Sequence, residues 1–153
     1  MITPILITVL IALTALAAVS VKRIPEGQVY SLRRLGKPAG LLTAGTHVVM
    51  PLIERIVHKI NLKGQVLRFE DHQAVADVRG TVYWQVLEPE RADAVIDHAD
   101  ELIRERVLDA LHDARSNAET ADRRAVGAQL KQLMNGVLRD SGMLVTRVEL
   151  DAA

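Results

Sequence analysis

The 153-residue chain contains no cysteine. That absence excludes disulfide scaffolds, thiolate nucleophiles and Cys-ligated zinc or iron–sulfur centres together. There is no excess of either charge sign, with 19 basic and 19 acidic residues, so the positive field that would draw nucleic acid to the whole surface is missing and no nucleic-acid partner is expected. The five histidines, His47, His58, His72, His98 and His112, never form a metal spacing such as H-x-x-x-H on one helical face. His98-x-x-Glu101 and His112-Asp113 pair imidazole with carboxylate, yet charges of both signs surround them and a solvated helix face is the simpler reading. Ser31, Ser116 and Ser141 have no G-x-S-x-G context, which removes the nucleophile elbow. Gly27, Gly36, Gly40, Gly45 and Gly64 form neither G-x-x-x-x-G-K-[ST] nor a strand-linked G-x-G-x-x-G, so they read as turn glycines. No catalytic residue, metal site or cofactor is expected, and the chain does not read as an enzyme.

Charge is also missing from the first 21 residues. The run ITPILITVLIALTALAAVSV spans roughly 30 Å as a helix, the thickness of a hydrocarbon core. Thr3, Thr8, Thr14 and Ser20 can bond back to carbonyls of the preceding turn, and Pro4 falls in the first turn, where a missing N–H costs little. Residues 2–21 are therefore expected to form a transmembrane helix. The competing reading is a signal peptide cut after Ala15-Leu16-Ala17, which would release a secreted or periplasmic binding module. The run lacks the basic n-region of such a peptide and is longer than its usual apolar core, so the anchor is preferred. From Lys22 to Lys37 five cations (Lys22, Arg23, Arg33, Arg34, Lys37) face Glu26 alone. Basic residues beside a span stay cytoplasmic. The expectation is a single-pass cell-membrane protein with its N-terminus outside and its domain in the cytoplasm.

The remaining residues, about 130, suit one compact domain. After the turn-like entry Pro25-Glu26-Gly27, strand character runs from Gln28 to Leu35 and stops at Gly36. Gly40 and Gly45 are expected to bracket a loop, and Thr46 to Met50 to form a strand that Pro51 ends. Ile53 to Leu62, Gln65 to Phe69 and Val78 to Leu87 read as further strands, the last holding most of the few aromatics. From Glu90 the period becomes 3.6, which predicts an amphipathic helix to about Arg115, broken near Asp97-His98. A second helix is expected behind a capping box at Ser116-x-x-Glu119, with Gly142 ending it in the left-handed conformation. Leu144 to Leu150 alternates as a last strand. The fold class is α+β: an N-terminal transmembrane helix, then a small domain at 24–150 with an antiparallel sheet and two or three helices.

Five stretches in order resemble the band 7 or SPFH superfamily, which includes stomatins, prohibitins and flotillins. Ile24-Pro25-Glu26-Gly27-Gln28 is similar to its V-P-E-G-E entry, and Arg33-Arg34-Leu35-Gly36-Lys37 to its E-R-L-G-K. Leu42 to Pro51 resembles L-x-P-G-L-H-F-x-x-P, with Gly45 at the turn. Thr81 to Pro89 resembles V-V-Y-Y-R-V-x-D-P, and Val145 to Leu150 resembles V-x-x-V-E-I. The stomatin-like branch is the nearest in pattern. Between Phe69 and Thr81 the sequence is shorter than the family pattern, which implies a trimmed strand or hairpin. The sequence also stops where family members generally continue into a long Ala/Glu-rich coiled-coil helix, so it resembles a short form. The resemblance implies a membrane scaffold that forms homo-oligomers, organises lipid and protein neighbours, and modulates a partner membrane protease or channel.

The residues expected to matter are those that meet the bilayer. Lys22 and Arg23 fall at the membrane interface, and Arg33, Arg34 and Lys37 are candidates for lipid contact. Adjacent residues on a strand face opposite sides, so at most one of Arg33 and Arg34 can share a given surface. Pro25, Glu26, Gly27, Gly36, Gly45 and Pro51 are the turn residues of the resemblance. Tyr83-Trp84 is expected to pack in the core and on the sheet rather than to form an interface belt.

Overall fold

The apolar run folds into one helix, α1 (Ile2–Ser20), and the chain passes at once into strand β1 (Val21–Ile24). A computed structural model of the chain describes residues 2–72, 78–116 and 123–151. They gather into two units, Met1–Lys59 and Ile60–Ala153.

In the first unit β1 pairs antiparallel with β4 (Gly45–Val48). A three-stranded sheet has the order β3-β2-β5, where β2 is Gln28–Arg34, β3 Lys37–Leu42 and β5 Glu54–Asn61. The buried apolar residues of this first unit are Ile24, Val29, Leu32 and Val49. The loop expected between Gly40 and Gly45 is smaller than predicted, because Lys37–Leu42 is a strand that carries Pro38 and Gly40 within it. As an edge strand, β3 tolerates a proline, and a bulge opposite it between Leu32 and Arg33 absorbs the irregularity. β1 was equally silent in the sequence. Four residues with two cations have little intrinsic strand signal, and pairing with β4 supplies the order.

The second unit contains β6 (Gln65–Asp71), β7 (Val78–Val86) and β8 (Met143–Leu150), antiparallel in that order. Against this sheet stand α3 (Ala99–Ser116) and α4 (Arg123–Leu138), which follow the short helix α2 (Pro89–Ala92). Alternation in the strands buries Leu67 and Phe69, then Val82, Trp84 and Val86, then Met143, Val145 and Val148. The helices bury Ile103, Val107, Leu111 and Ala114, and Leu130, Met134 and Leu138, each set at helical spacing. Trp84 is thus a core residue. Tyr83 is half-buried, and its hydroxyl donates to Glu149 at 3.1 Å, which raises the phenol above its ordinary pKa.

The helix expected from Glu90 is divided. Pro89 opens α2, Val95 leaves helical geometry at φ −123°, and a 3-10 turn at Ile96–His98 leads into α3. Of the expected capping box, Ser116 is the last described residue of α3, and Glu119 lies outside the described residues. Gly142 is left-handed at φ 70° as expected, after a 3-10 turn at Arg139–Ser141. A Cβ there would meet the Glu88 carbonyl oxygen at 2.4 Å, and the Gly142 carbonyl accepts the N–H groups of Leu87 and Glu88.

Gly80 is opposite Phe69 in the β6–β7 register. A Cβ on it would lie 2.6 Å from both the Phe69 ring and the Glu149 carbonyl oxygen, so the ring uses the space a side chain would fill. Gly80→Ala is expected to destabilise the fold by about 1–3 kcal/mol through overpacking. Gly136→Ala, in α4 with no atom within 4 Å of its Cβ position, should stabilise it by about 0.5–1 kcal/mol. Thermal unfolding of the two variants should move in opposite directions.

Candidate membrane interface

α1 is apolar on every side and uncharged. Its window Thr3–Ser20 has a mean hydropathy of 2.2 and no buried residue. With 19 residues it is about 28 Å long. The hydroxyls of Thr8, Thr14 and Ser20 donate to the carbonyls of Pro4, Leu10 and Leu16 at 2.8, 2.6 and 2.7 Å, so none needs water. A helix of this kind has no apolar surface to save for a core. Its whole circumference calls for an apolar solvent.

The C-terminal end of α1 is tied to the strands that follow. The Ser20 carbonyl accepts the N–H of Val49 at 2.8 Å, and Val21 is in register with Val48, Lys22 with His47 and Arg23 with Thr46. That bond fixes the segment after β4 at the helix exit. This segment is apolar and exposed: Val48 is 72% exposed and Leu52 85%, with Met50 and Ile53 also open. Its turn is closed by Ile53 and Glu54 N–H groups on the Met50 carbonyl, at 3.1 and 2.7 Å.

A second apolar tip joins it. Leu35 and Gly36, between β2 and β3, both have positive φ, at 50° and 81°. Hairpins of this geometry prefer Asn or Gly, and a bulky side chain there is strained. Leu35 is nevertheless 78% exposed, so no core contact among the described residues offsets that strain. Its N–H donates to the Ile53 carbonyl at 3.0 Å. Leu35, Leu52, Ile53 and Val57 thereby line one depression of about 460 Å³, with Arg33 and Arg55 beside them.

One carboxylate holds this arrangement. Glu54 accepts the Met50 N–H at 3.0 Å and a two-pronged contact from the Arg34 guanidinium. The Met50 N–H, then Arg34, lower its pKa below the ordinary carboxylate value. Arg34 is therefore committed to Glu54, whereas Lys22, Arg23, Arg33 and Lys37 are exposed. Of the turn residues singled out in the sequence, Pro25 accepts the Gln28 N–H at 3.3 Å around Glu26 and Gly27. Gly27 has φ 80° and Gly45 φ 137°, and Pro51 sits in the Met50–Glu54 turn. The sequence flagged the cations of this region and missed its exposed apolar tips. Alternation at Leu35, Met50 and Leu52 looks like core patterning until the strand register is known.

The histidines behave differently from their sequence neighbours. His112 lies 3.5 Å from Asp71, a buried carboxylate on β6. Among the described residues no group of three or more His, Cys, Asp or Glu side chains is arranged to hold a metal ion.

A family model described as SPFH domain / Band 7 family matches residues 22–153, most of the chain and all but one residue beyond the apolar helix. The apolar helix and this domain are together compatible with membrane association.

The Glu54 latch gives a signed pH dependence. Its carboxylate form is favoured by folding, so its contribution is complete above the ordinary value of 4.5 and is lost as pH falls through the lower folded value. Hydrogen exchange at the Met50 amide should accelerate as pH is taken below that range, beyond the intrinsic pH effect on exchange. Glu54→Gln should show fast exchange at all pH values and no such transition.

Proposed function

The chain belongs to the SPFH domain / Band 7 family, and from that premise we propose that it is a single-pass membrane scaffold of the stomatin-like type, anchored by residues 2–21 and presenting residues 24–150 to the cytoplasm. The observation that carries this reading is the Ser20–Val49 hydrogen bond, which ties an exposed apolar rim to the end of an apolar helix. If α1 spans the bilayer, that rim lies at the boundary between headgroups and acyl chains. The N-terminus is outside, because the cations follow the span.

Lys22 and Arg23 then meet the phosphates of the cytoplasmic leaflet, and Arg33 and Lys37 contact lipid beside the Leu35 tip. Arg34 acts through Glu54. Full burial of one Leu or Ile side chain is worth about 1.5–3 kcal/mol, against about 1 kcal/mol for a basic residue at an anionic surface. The apolar tips therefore dominate the attachment of the first unit, and the cations set its orientation. The partners are the bilayer, other copies of the chain in a homo-oligomer, and a membrane protease or channel whose activity the assembly modulates. Members of this family are generally scaffolds without chemistry of their own, and this chain is assigned none.

Because the chain lacks cysteine, Leu52→Cys can carry a single environment-sensitive fluorophore. In vesicles its emission should be quenched by a spin label in the acyl chains and protected from iodide. Quenching by iodide as efficient as for the free dye would sink the interface assignment. Scaffold function is read from the mass of the detergent-solubilised protein, expected to be a multiple of the 16.8 kDa chain. A monomer at all concentrations would contradict it.

A further inference from the structure

α4, as described, is a helix of one charge sign. Its 16 residues include Arg123 and Arg124 at the start, Lys131 two turns on, and no Asp or Glu anywhere. The chain as a whole is balanced, so this helix concentrates positive charge.

These cations share a place. Arg123, Arg124 and Lys131 line the α4 side of a groove of about 630 Å³, and Arg147 of β8 lines the other. Gly127 and Ala128 lie between them on the helix and contribute almost no side chain. At Gly127 the helix approaches β8 so closely that a Cβ would be 2.8 Å from the Val148 carbonyl oxygen. Small residues thus keep the groove open, and long cationic side chains form its rim.

The carboxylates in the groove do not neutralise that rim. Glu149 is ion-paired with Arg147 and accepts the Tyr83 hydroxyl, which leaves Asp151 as the other acidic lining residue. Among the described residues, none of the three α4 cations has a carboxylate partner.

We propose that this groove binds a phosphate-bearing anion with more than one negative charge, held by Arg123, Arg124 and Lys131. Guanidinium forks match phosphate oxygens two at a time, and an ammonium adds a point charge that fits a second phosphate or a second oxygen edge. A monocarboxylate would leave most of the rim unmatched. The phosphate is supplied by a lipid headgroup or by a soluble phosphorylated compound, with the same chemistry in either case. This site is separate from the apolar rim and does not depend on α1 spanning a membrane.

The test uses the full chain in neutral detergent micelles, titrated with pyrophosphate, and the full chain in bicelles with and without phosphatidate. Backbone amide shifts of Gly127, Ala128 and Thr146 are the readout. Saturable shifts confined to these residues are expected, and the double variant Arg123→Gln, Arg124→Gln should weaken binding by roughly tenfold or more. Lys131→Gln should act in the same direction and serves if the double variant does not fold. Arg104→Gln, on the exposed side of α3, should leave binding unchanged. A response to pyrophosphate assigns a soluble ligand, and a response to phosphatidate alone assigns a headgroup. No saturable shift with either probe, or equal affinity in the double variant, overturns the proposal.

Discussion

The last carbonyls of an apolar helix are the constraint on which the first unit depends. An α-helix leaves its final carbonyl groups without intrahelical partners, and where the surroundings are apolar no water is at hand to take them. Here the chain leaves the helix as a strand, and Ser20 is satisfied by the Val49 N–H. That solution requires β4 to return to the helix end, and so it fixes β1 and β4 as a ribbon and delivers Met50, Leu52 and Ile53 to the same place. An ordinary capping glycine would have ended the helix and left the following chain free to go elsewhere.

The two tips that join this exit are held by different means. The Met50–Glu54 turn is closed by backbone bonds and by Glu54, which Arg34 in turn neutralises. The Leu35–Gly36 turn is held by the β2–β3 pairing and by the Leu35–Ile53 bond. Both keep large apolar side chains turned outward by polar contacts beneath them. A soluble surface has no use for that arrangement, since a contiguous exposed apolar patch promotes association. Beside an apolar helix, such a patch is compatible with the same apolar solvent that the helix calls for.

The second unit answers a different problem, the exposed edge of β8. Asn135 places its amide against Val145, donating to the carbonyl at 3.0 Å and accepting the N–H at 2.7 Å, so one side chain replaces the missing neighbouring strand at that residue. Further along, Gly127 lets α4 close over Val148. The helix therefore covers part of the edge that would otherwise template pairing with another chain. Beyond that cover the same helix presents its cations, and the groove exists because the residues that allow close approach are small.

Much of this was legible beforehand. The apolar run, the alternating strands from Gln28 to Val86, the two amphipathic helices and the left-handed Gly142 follow from local periodicity and glycine chemistry, which act within a few residues. Ordered motifs such as Ile24 to Gln28 and Val145 to Leu150 placed the family before any strand was paired. The strands β1 and β3 were not legible, because a four-residue segment with two cations or a segment carrying Pro38 and Gly40 becomes a strand only when a distant partner supplies the hydrogen bonds. The exposure of Leu35 and Leu52, the commitment of Arg34 to Glu54, the pairing of His112 with Asp71, and the convergence of Arg123, Arg124 and Lys131 with Arg147 were decided only by tertiary structure. Each joins residues far apart in sequence, or sets which face of a strand meets solvent, and register is a property of two strands. The sequence by itself determined that there is an apolar helix with an α+β domain behind it, since composition and period are written in one strand or helix at a time.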